Sequence, residues 1–177
     1  MKNDIVVYPI SANPPTLGHA DIMQRAARRF KKLYWVAAIN PNKIVDFPVD
    51  LQINMMNEYV KFYEIDNVIV DHVIGSMIRY AMKVNAEFII RGIRNTSDLQ
   101  LEMELATAYR GINDKIETIC FLADPKLVTV SSNLVRQISK VNENITPYVL
   151  PKVAKMIDSH YKKTNKKITL SDDFDMY

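Results

Sequence analysis

The feature that most constrains this chain is its alternation of short apolar runs with longer stretches of helical period. Runs at 5–8, 33–39, 68–70, 88–90 and 116–122 read as strands, and 20–30, 51–63, 76–84, 98–111, 134–140 and 149–161 read as helices. In the second helix Leu51, Met55, Tyr59 and Phe62 fall on one face. In the second strand Trp35 and Val36 favour extended backbone. The runs do not alternate polar with apolar residues, so each strand is expected to be covered on both faces. Helices between successive strands then make the connections parallel crossovers.

The expected fold is therefore α/β: a doubly wound, Rossmann-like, five-stranded parallel sheet with helices on both faces and a C-terminal helix. Ligands of such sheets bind beyond the carboxyl ends of the strands, where the strand order reverses. That rule points to the segments after Tyr8, Ile39, Ile90 and Leu122. With 177 residues the chain suits a single domain, expected over 1–161, followed by a charged tail over 162–177 that carries no such motif.

Composition narrows the partners. Hydrophobic residues make up 48% and charged residues 24%, an ordinary globular balance. A net charge of +3 is too mild for a nucleic-acid binder but suits anionic small substrates if several cations converge on one cleft. The single cysteine, Cys120, excludes a disulfide within the chain and reads as a buried, inert thiol. No apolar run is long enough to serve as a signal peptide or to span a membrane, so a soluble, cytoplasmic protein is expected.

Four strand ends carry groups suited to phosphate. After the first strand comes Tyr8-Pro9-Ile10-Ser11-Ala12-Asn13-Pro14-Pro15-Thr16-Leu17-Gly18-His19, then a helix. A helix start offers free backbone N–H groups to an anion, Ser11 adds a hydroxyl, Gly18 admits a close backbone approach, and His19 can donate to a phosphate oxygen. Pro41-Asn42-Lys43 follows the second strand and brings a lysine to the same edge. Arg91-Gly92-Ile93-Arg94 follows the fourth; arginine holds phosphate through paired N–H groups. Thr129-Val130-Ser131-Ser132-Asn133-Leu134-Val135-Arg136 follows the fifth, with hydroxyls at another helix start. Each alone is more simply structural; their joint placement on one sheet edge is what points to a site.

These segments carry a family resemblance. Thr16-Leu17-Gly18-His19 matches the (H/T)xGH signature of the nucleotidyltransferase α/β phosphodiesterases, and Val130-Ser131-Ser132-Asn133-Leu134-Val135-Arg136 is similar to their second signature, ISSTxxR. Arg91-Gly92-Ile93-Arg94, with Asp98 and Glu102 beyond it, resembles the phosphopantetheine adenylyltransferases in particular, and the likeness runs from about Ile5 to about Lys155. The resemblance implies transfer of an adenylyl group from ATP to 4′-phosphopantetheine, giving dephospho-coenzyme A and pyrophosphate. It also implies Mg²⁺ carried on the ATP phosphates, coenzyme A as a feedback ligand, and a homohexamer. It implies ATP contacts at Ser11, Ala12, His19, Gly92, Ile93, Arg94, Glu102, Leu127, Val128, Thr129, Val130, Ser131, Ser132 and Asn133. Ser11, Lys43, Met77 and Arg91 would hold the acceptor, and His19, Lys43 and Arg94 would act in catalysis.

The pattern also departs from the family. Ile10 stands for the usual Gly, Ala12 for an aromatic, Asn13 for Asp, Tyr109 for Asn, and Asn133 for the last Ser or Thr of the second signature. Two rival functions follow. One is another adenylyl- or cytidylyltransferase of the superfamily, acting on nicotinate mononucleotide or an alcohol phosphate; Thr16 in place of His, and the lack of an RTEGISTT-like segment, weigh against it. The other is a nucleotide- or coenzyme A-binding regulator that has lost catalysis, against which stand His19, Lys43, Arg91 and Arg94.

Overall fold

A computed structural model describes residues 4–41 and 45–164 of the chain. Lys43 and the tail from residue 165 onward lie outside the described residues. Among the described residues, strands and helices follow in the order β1 (Ile5–Ile10), α1 (Leu17–Ala27), β2 (Lys32–Ile39), α2 (Val49–Phe62), β3 (Val68–Ile74), α3 (Met77–Lys83), β4 (Phe88–Ile93), α4 (Thr96–Ile112), β5 (Glu117–Leu122), α5 (Ser132–Lys140) and α6 (Pro151–Lys163). The strands form one all-parallel sheet in the order β3-β2-β1-β4-β5. The chain winds outward from β1 through β2 to β3. It then crosses back through α3 to β4 on the other side of β1, so the order reverses between β1 and β4.

Alternate strand residues feed two cores. Val6, Tyr8, Ile10, Leu33, Trp35, Ala37 and Ile90 pack with α1, α2, α5 and α6. Val7, Val36 and Ile89 point the other way and pack with Met77, Ile78, Tyr80 and Ala81 of α3. The central strands β1, β2 and β4 are thus covered on both faces, as their apolar runs require, whereas the edge strands β3 and β5 expose Ile69, Ile74 and Leu122, because each has a neighbour on one side only.

Several boundaries differ from the sequence expectation, and two of them matter for the site. β1 continues to Ile10, paired with Ala37, and β4 continues to Ile93, paired with Leu122. The hydrogen-bond ladder with the outer neighbour carries each strand past its apolar run. Arg91 and Gly92 therefore lie within β4 rather than after it, and Ile10 is a buried strand residue rather than part of a turn. Between themselves β1 and β4 pair only through Val6–Phe88 and Val7–Ile89. Beyond those pairs both strands run on, and a crevice opens between them at their carboxyl ends.

Cys120 is exposed, contrary to the buried thiol expected. The reason is topological: β5 is an edge strand, and none of its residues is fully buried.

Gly92 lies close against Ile22 of α1. A Cβ there would lie 2.5 Å from Ile22 Cδ1, and Ile22 is itself buried on α1. Gly92→Ala is therefore expected to destabilise the fold by about 1–3 kcal/mol through overpacking. Adding Ile22→Val, which removes the clashing methyl, should recover part of that loss; denaturant unfolding of the three chains checks it.

Candidate active site

A cleft of about 500 Å³ opens at the carboxyl ends of β1 and β4. His19 and Thr16 sit at its α1 side, Arg91, Gly92 and Arg94 at its β4 side, and Ser131, Ser132 and Asn133 at the start of α5. Three of the four segments singled out in the sequence meet here; the fourth carries Lys43, outside the described residues.

His19 is the third residue of α1, and Thr16 is the N-cap. The Thr16 backbone N–H donates to His19 Nδ1 at 3.1 Å. Nδ1 is thus an acceptor, and in the neutral ring the proton sits on Nε2, the other edge of the imidazole. The Thr16 hydroxyl lies 3.0 Å from the same Nδ1 and, like the rest of Thr16, is shielded from water. Burial, with a smaller contribution from the Arg94 charge, pushes the His19 pKa down from 6.5 to about 4. His19 is consequently a fixed, uncharged N–H donor at neutral pH.

Two arginines are held by two carboxylates from α4. Arg94 Nε and Nη2 donate to Asp98 at 2.9 and 3.2 Å, and the Arg94 backbone N–H donates to the same carboxylate at 3.0 Å. Hydrogen bonds from Arg94 hold the Asp98 carboxyl below its usual range. Asp98 is itself placed by the N-cap, because its backbone N–H donates to Asn95 Oδ1 at 2.9 Å. Arg91 donates through Nε and Nη2 to Glu102, the second bond measuring 2.6 Å. Tyr8 also lines the cleft, and burial raises its pKa, so its phenol stays protonated.

The α5 segment is positioned by its own hydroxyls. Ser131 Oγ accepts from the Leu134 N–H at 3.1 Å as the N-cap. Ser132 Oγ donates to the Pro14 carbonyl at 2.7 Å, tying α5 to the loop after β1. Both residues line the cleft, yet their hydroxyls are occupied within the protein. What faces a ligand is the start of α5 with its free backbone N–H groups. Gly18 lies against this segment: a Cβ there would meet Leu127 O and Val130 O at 3.8 Å, an ordinary contact, so the protein alone does not demand glycine.

Of the residues singled out in the sequence, Ser11, His19, Arg91, Gly92, Arg94, Glu102, Leu127, Val130, Ser131, Ser132 and Asn133 border the cleft. Ala12 and Ile93 are buried and do not border it, nor do Val128, which is partly exposed, and Thr129. Met77 is packed in the α3 core and likewise lies off the cleft.

Arg136 closes the second signature. It lines the cleft, donates through Nη1 to the Asn13 carbonyl, and reaches Asn133 Oδ1 at 3.2 Å. Its place at the end of that signature was the signal that could have found it. A second group had no sequence signal at all. The Asp46 carboxylate meets Lys140 Nζ at 2.8 Å and accepts from the Tyr161 hydroxyl at 2.7 Å, while His160 Nε2 lies 2.8 Å from the Asp46 carbonyl. Asn13 Oδ1 accepts from the backbone N–H groups of Asp46 and Phe47 at 3.2 and 3.3 Å. Asn13→Ala leaves both donors without that acceptor and is expected to cost about 1–3 kcal/mol. Asn13→Asp keeps an acceptor oxygen and should retain most of that stability; thermal melts of the two variants make the comparison.

A cytidylyltransferase-like family model matches residues 7–138. A phosphopantetheine adenylyltransferase from Caldanaerobacter subterraneus subsp. tengcongensis is 36% identical over 160 residues, covering 90% of this chain and 99% of the relative. One from Staphylococcus haemolyticus is 32% identical over 163 residues, covering 92% and 100%. Among solved structures, the Plasmodium falciparum nicotinic acid mononucleotide adenylyltransferase complexed with NaAD superposes with a TM-score of 0.64 at 14% identity, over 91% of this chain and 95% of that one. That likeness carries the fold alone, whereas the sequence matches span nearly the whole length of both partners. The chain belongs to the phosphopantetheine adenylyltransferase family, within the cytidylyltransferase-like nucleotidyltransferases.

Proposed function

We propose that the cleft transfers the adenylyl group of ATP to 4′-phosphopantetheine, releasing pyrophosphate and forming dephospho-coenzyme A. The observation that carries this reading is one crevice bordered by a neutral His19 donor, Arg91, Arg94 and the start of α5, in a chain similar to phosphopantetheine adenylyltransferases over almost its full length. An acceptor phosphate is already ionised near neutral pH, so it attacks without a general base. Its oxygen bonds to the α-phosphorus, the bond from that phosphorus to the bridging oxygen of the β-phosphate breaks, and pyrophosphate leaves with the electron pair. No proton need move. The protein's part is alignment and charge: His19 Nε2–H donates to the equatorial oxygens of the reacting phosphorus, and Arg94, with Lys43, offsets repulsion between the two anions.

Ser11 and the starts of α1 and α5 would hold the ATP phosphates, and Arg91 the acceptor phosphate. Mg²⁺ belongs to this reading as a companion of the triphosphate. Among the described residues no group of three or more His, Cys, Asp or Glu is placed to hold a metal ion, and Asp98 and Glu102 are each committed to an arginine. In this reading it would be held by phosphate oxygens and water, where it would neutralise charge on the leaving group. Coenzyme A, which shares the acceptor's arm, would compete at the same cleft. No helix of the described residues is long and apolar enough to cross a membrane, and a cytoplasmic setting is part of the same proposal.

The test is product formation from ATP with a panel of phosphorylated acceptors. Dephospho-coenzyme A from 4′-phosphopantetheine is expected; turnover of nicotinate mononucleotide with none of phosphopantetheine would overturn the assignment. Assembly into a homohexamer is proposed with it. In its support, α4 exposes Leu101, Met103 and Ile112, and Leu122 of the neighbouring edge strand is 70% exposed. Where such side chains gather into one contiguous patch they mark an interface. Light scattering at micromolar concentration should return six times the chain mass, and a monomer would sink the idea.

A further inference from the structure

We propose that Glu102 is a positioning residue: it sets the guanidinium of Arg91 for the acceptor phosphate and acts on the acceptor through that arginine. The proposal rests on the adenylyl-transfer reading above and deepens it.

Glu102 is the one buried residue of the 17-residue helix α4. Burying a carboxylate is costly unless a partner and good geometry offset it, so a glutamate at this position needs a cause. Its partner is Arg91, held side-on through Nε and Nη2, with the two side chains 19% and 10% exposed. Arg91 sits in β4, opposite Cys120 of β5 in register, with its own side chain bordering the cleft. The side-on pair consumes two of the five guanidinium N–H groups and leaves three. It also removes the rotational freedom of a long side chain before any ligand arrives, which is the ordering cost a phosphate would otherwise meet.

The arrangement is repeated one turn earlier. Asp98 and Glu102 stand four residues apart, on the same face of α4. Asp98 takes Arg94 through Nε and Nη2 as Glu102 takes Arg91. One helix thus holds both arginines of the β4 segment by the same edge. The outer pair is the more exposed, with Arg94 at 39% and Asp98 at 22%. The inner pair is the more enclosed, so loss of its carboxylate should be felt more strongly.

The experiment is a double-mutant cycle with Glu102→Gln and Arg91→Lys, reading kcat and separate KM values for 4′-phosphopantetheine and ATP. Glu102→Gln is expected to raise the acceptor KM about tenfold or more, whereas the direct ATP contact that the family resemblance implies for Glu102 would raise the ATP KM instead, and that result would overturn the positioning role. Lysine cannot make the side-on pair, so in the Arg91→Lys background Glu102→Gln should add little. Glu102→Asp, which keeps the charge on a shorter arm, should fall between. If melting shows that Glu102→Gln does not fold, the same cycle is run on Glu102→Asp. An unchanged acceptor KM in a folded variant, or effects that multiply in the double variant, would overturn the proposal. A wild-type chain that forms no dephospho-coenzyme A would instead overturn the functional reading, and this one with it.

Discussion

Replacing His19 with alanine is expected to lower kcat by about a hundredfold or more while changing ATP affinity only modestly. The argument begins with the hydrogen bonds. Nδ1 is taken by the Thr16 backbone N–H, so the ring is oriented and the proton is on Nε2. The pKa near 4 keeps that tautomer uncharged at neutral pH. A neutral donor gains little from the ground-state phosphate and more from the equatorial oxygens as charge builds on them, so its loss appears in kcat rather than in binding. Removing one such preorganised donor typically costs about 3 kcal/mol, or roughly a hundredfold in rate. If His19 only closed the first turn of α1, the loss would appear in the melting temperature with kcat nearly unchanged. Steady-state kinetics and melts of the same variant separate the two outcomes, and a folded His19→Ala protein of undiminished kcat would remove the centre of the mechanism.

The elements of the fold were legible because strand and helix periods differ, and the five apolar runs have no polar alternation to confuse them. The ends of the elements were less so. Arg91 and Gly92 interrupt an apolar run and by pattern read as the start of a loop, yet β5 holds them in the ladder to Ile93. A local pattern cannot register a neighbour's hydrogen bonds. Cys120 misled for the opposite reason: Ile119-Cys120-Phe121-Leu122 is apolar enough for a core, but edge position is a property of topology, not of composition. In the site, His19, Arg91 and Arg94 could be found because phosphate chemistry favours those residues at strand ends. The hydroxyls of Ser131 and Ser132 were in the right place but have structural partners, the Leu134 N–H and the Pro14 carbonyl. The group around Asp46 joins residues more than ninety positions apart, Asp46 to Lys140 and Tyr161. No spacing rule reaches that far. The departures at Ile10 and Asn13 are also explained only by the structure: one is a buried strand residue, and the other accepts two backbone N–H groups.

The free protein should show a His19 imidazole that stays neutral through the pH range where histidine ordinarily titrates. Burial is the main cause and the Arg94 charge the second; together they take the pKa from 6.5 to about 4. At pH 6 an unperturbed imidazole is about three-quarters protonated, whereas one with this pKa is about 1% protonated. The sign of the linkage follows. Between pH 6.5 and 4 the unfolded chain binds a proton at His19 that the folded chain refuses, so stability rises with pH across that window. The His19 contribution is full above about pH 6.5 and is lost as pH falls toward 4, and a His19→Gln variant should lose stability less steeply there than the wild type. Arg94→Ala should raise the His19 pKa, but by less than restoring water to the ring would, because burial is the larger cause. Imidazole resonances followed by NMR from pH 8 to 4.5, with the His19 signal assigned by its absence in His19→Gln, test both statements. A His19 resonance that titrates near pH 6.5 in the free protein would show a hydrated, chargeable ring, and the fixed neutral donor on which the transfer mechanism depends would have to be abandoned.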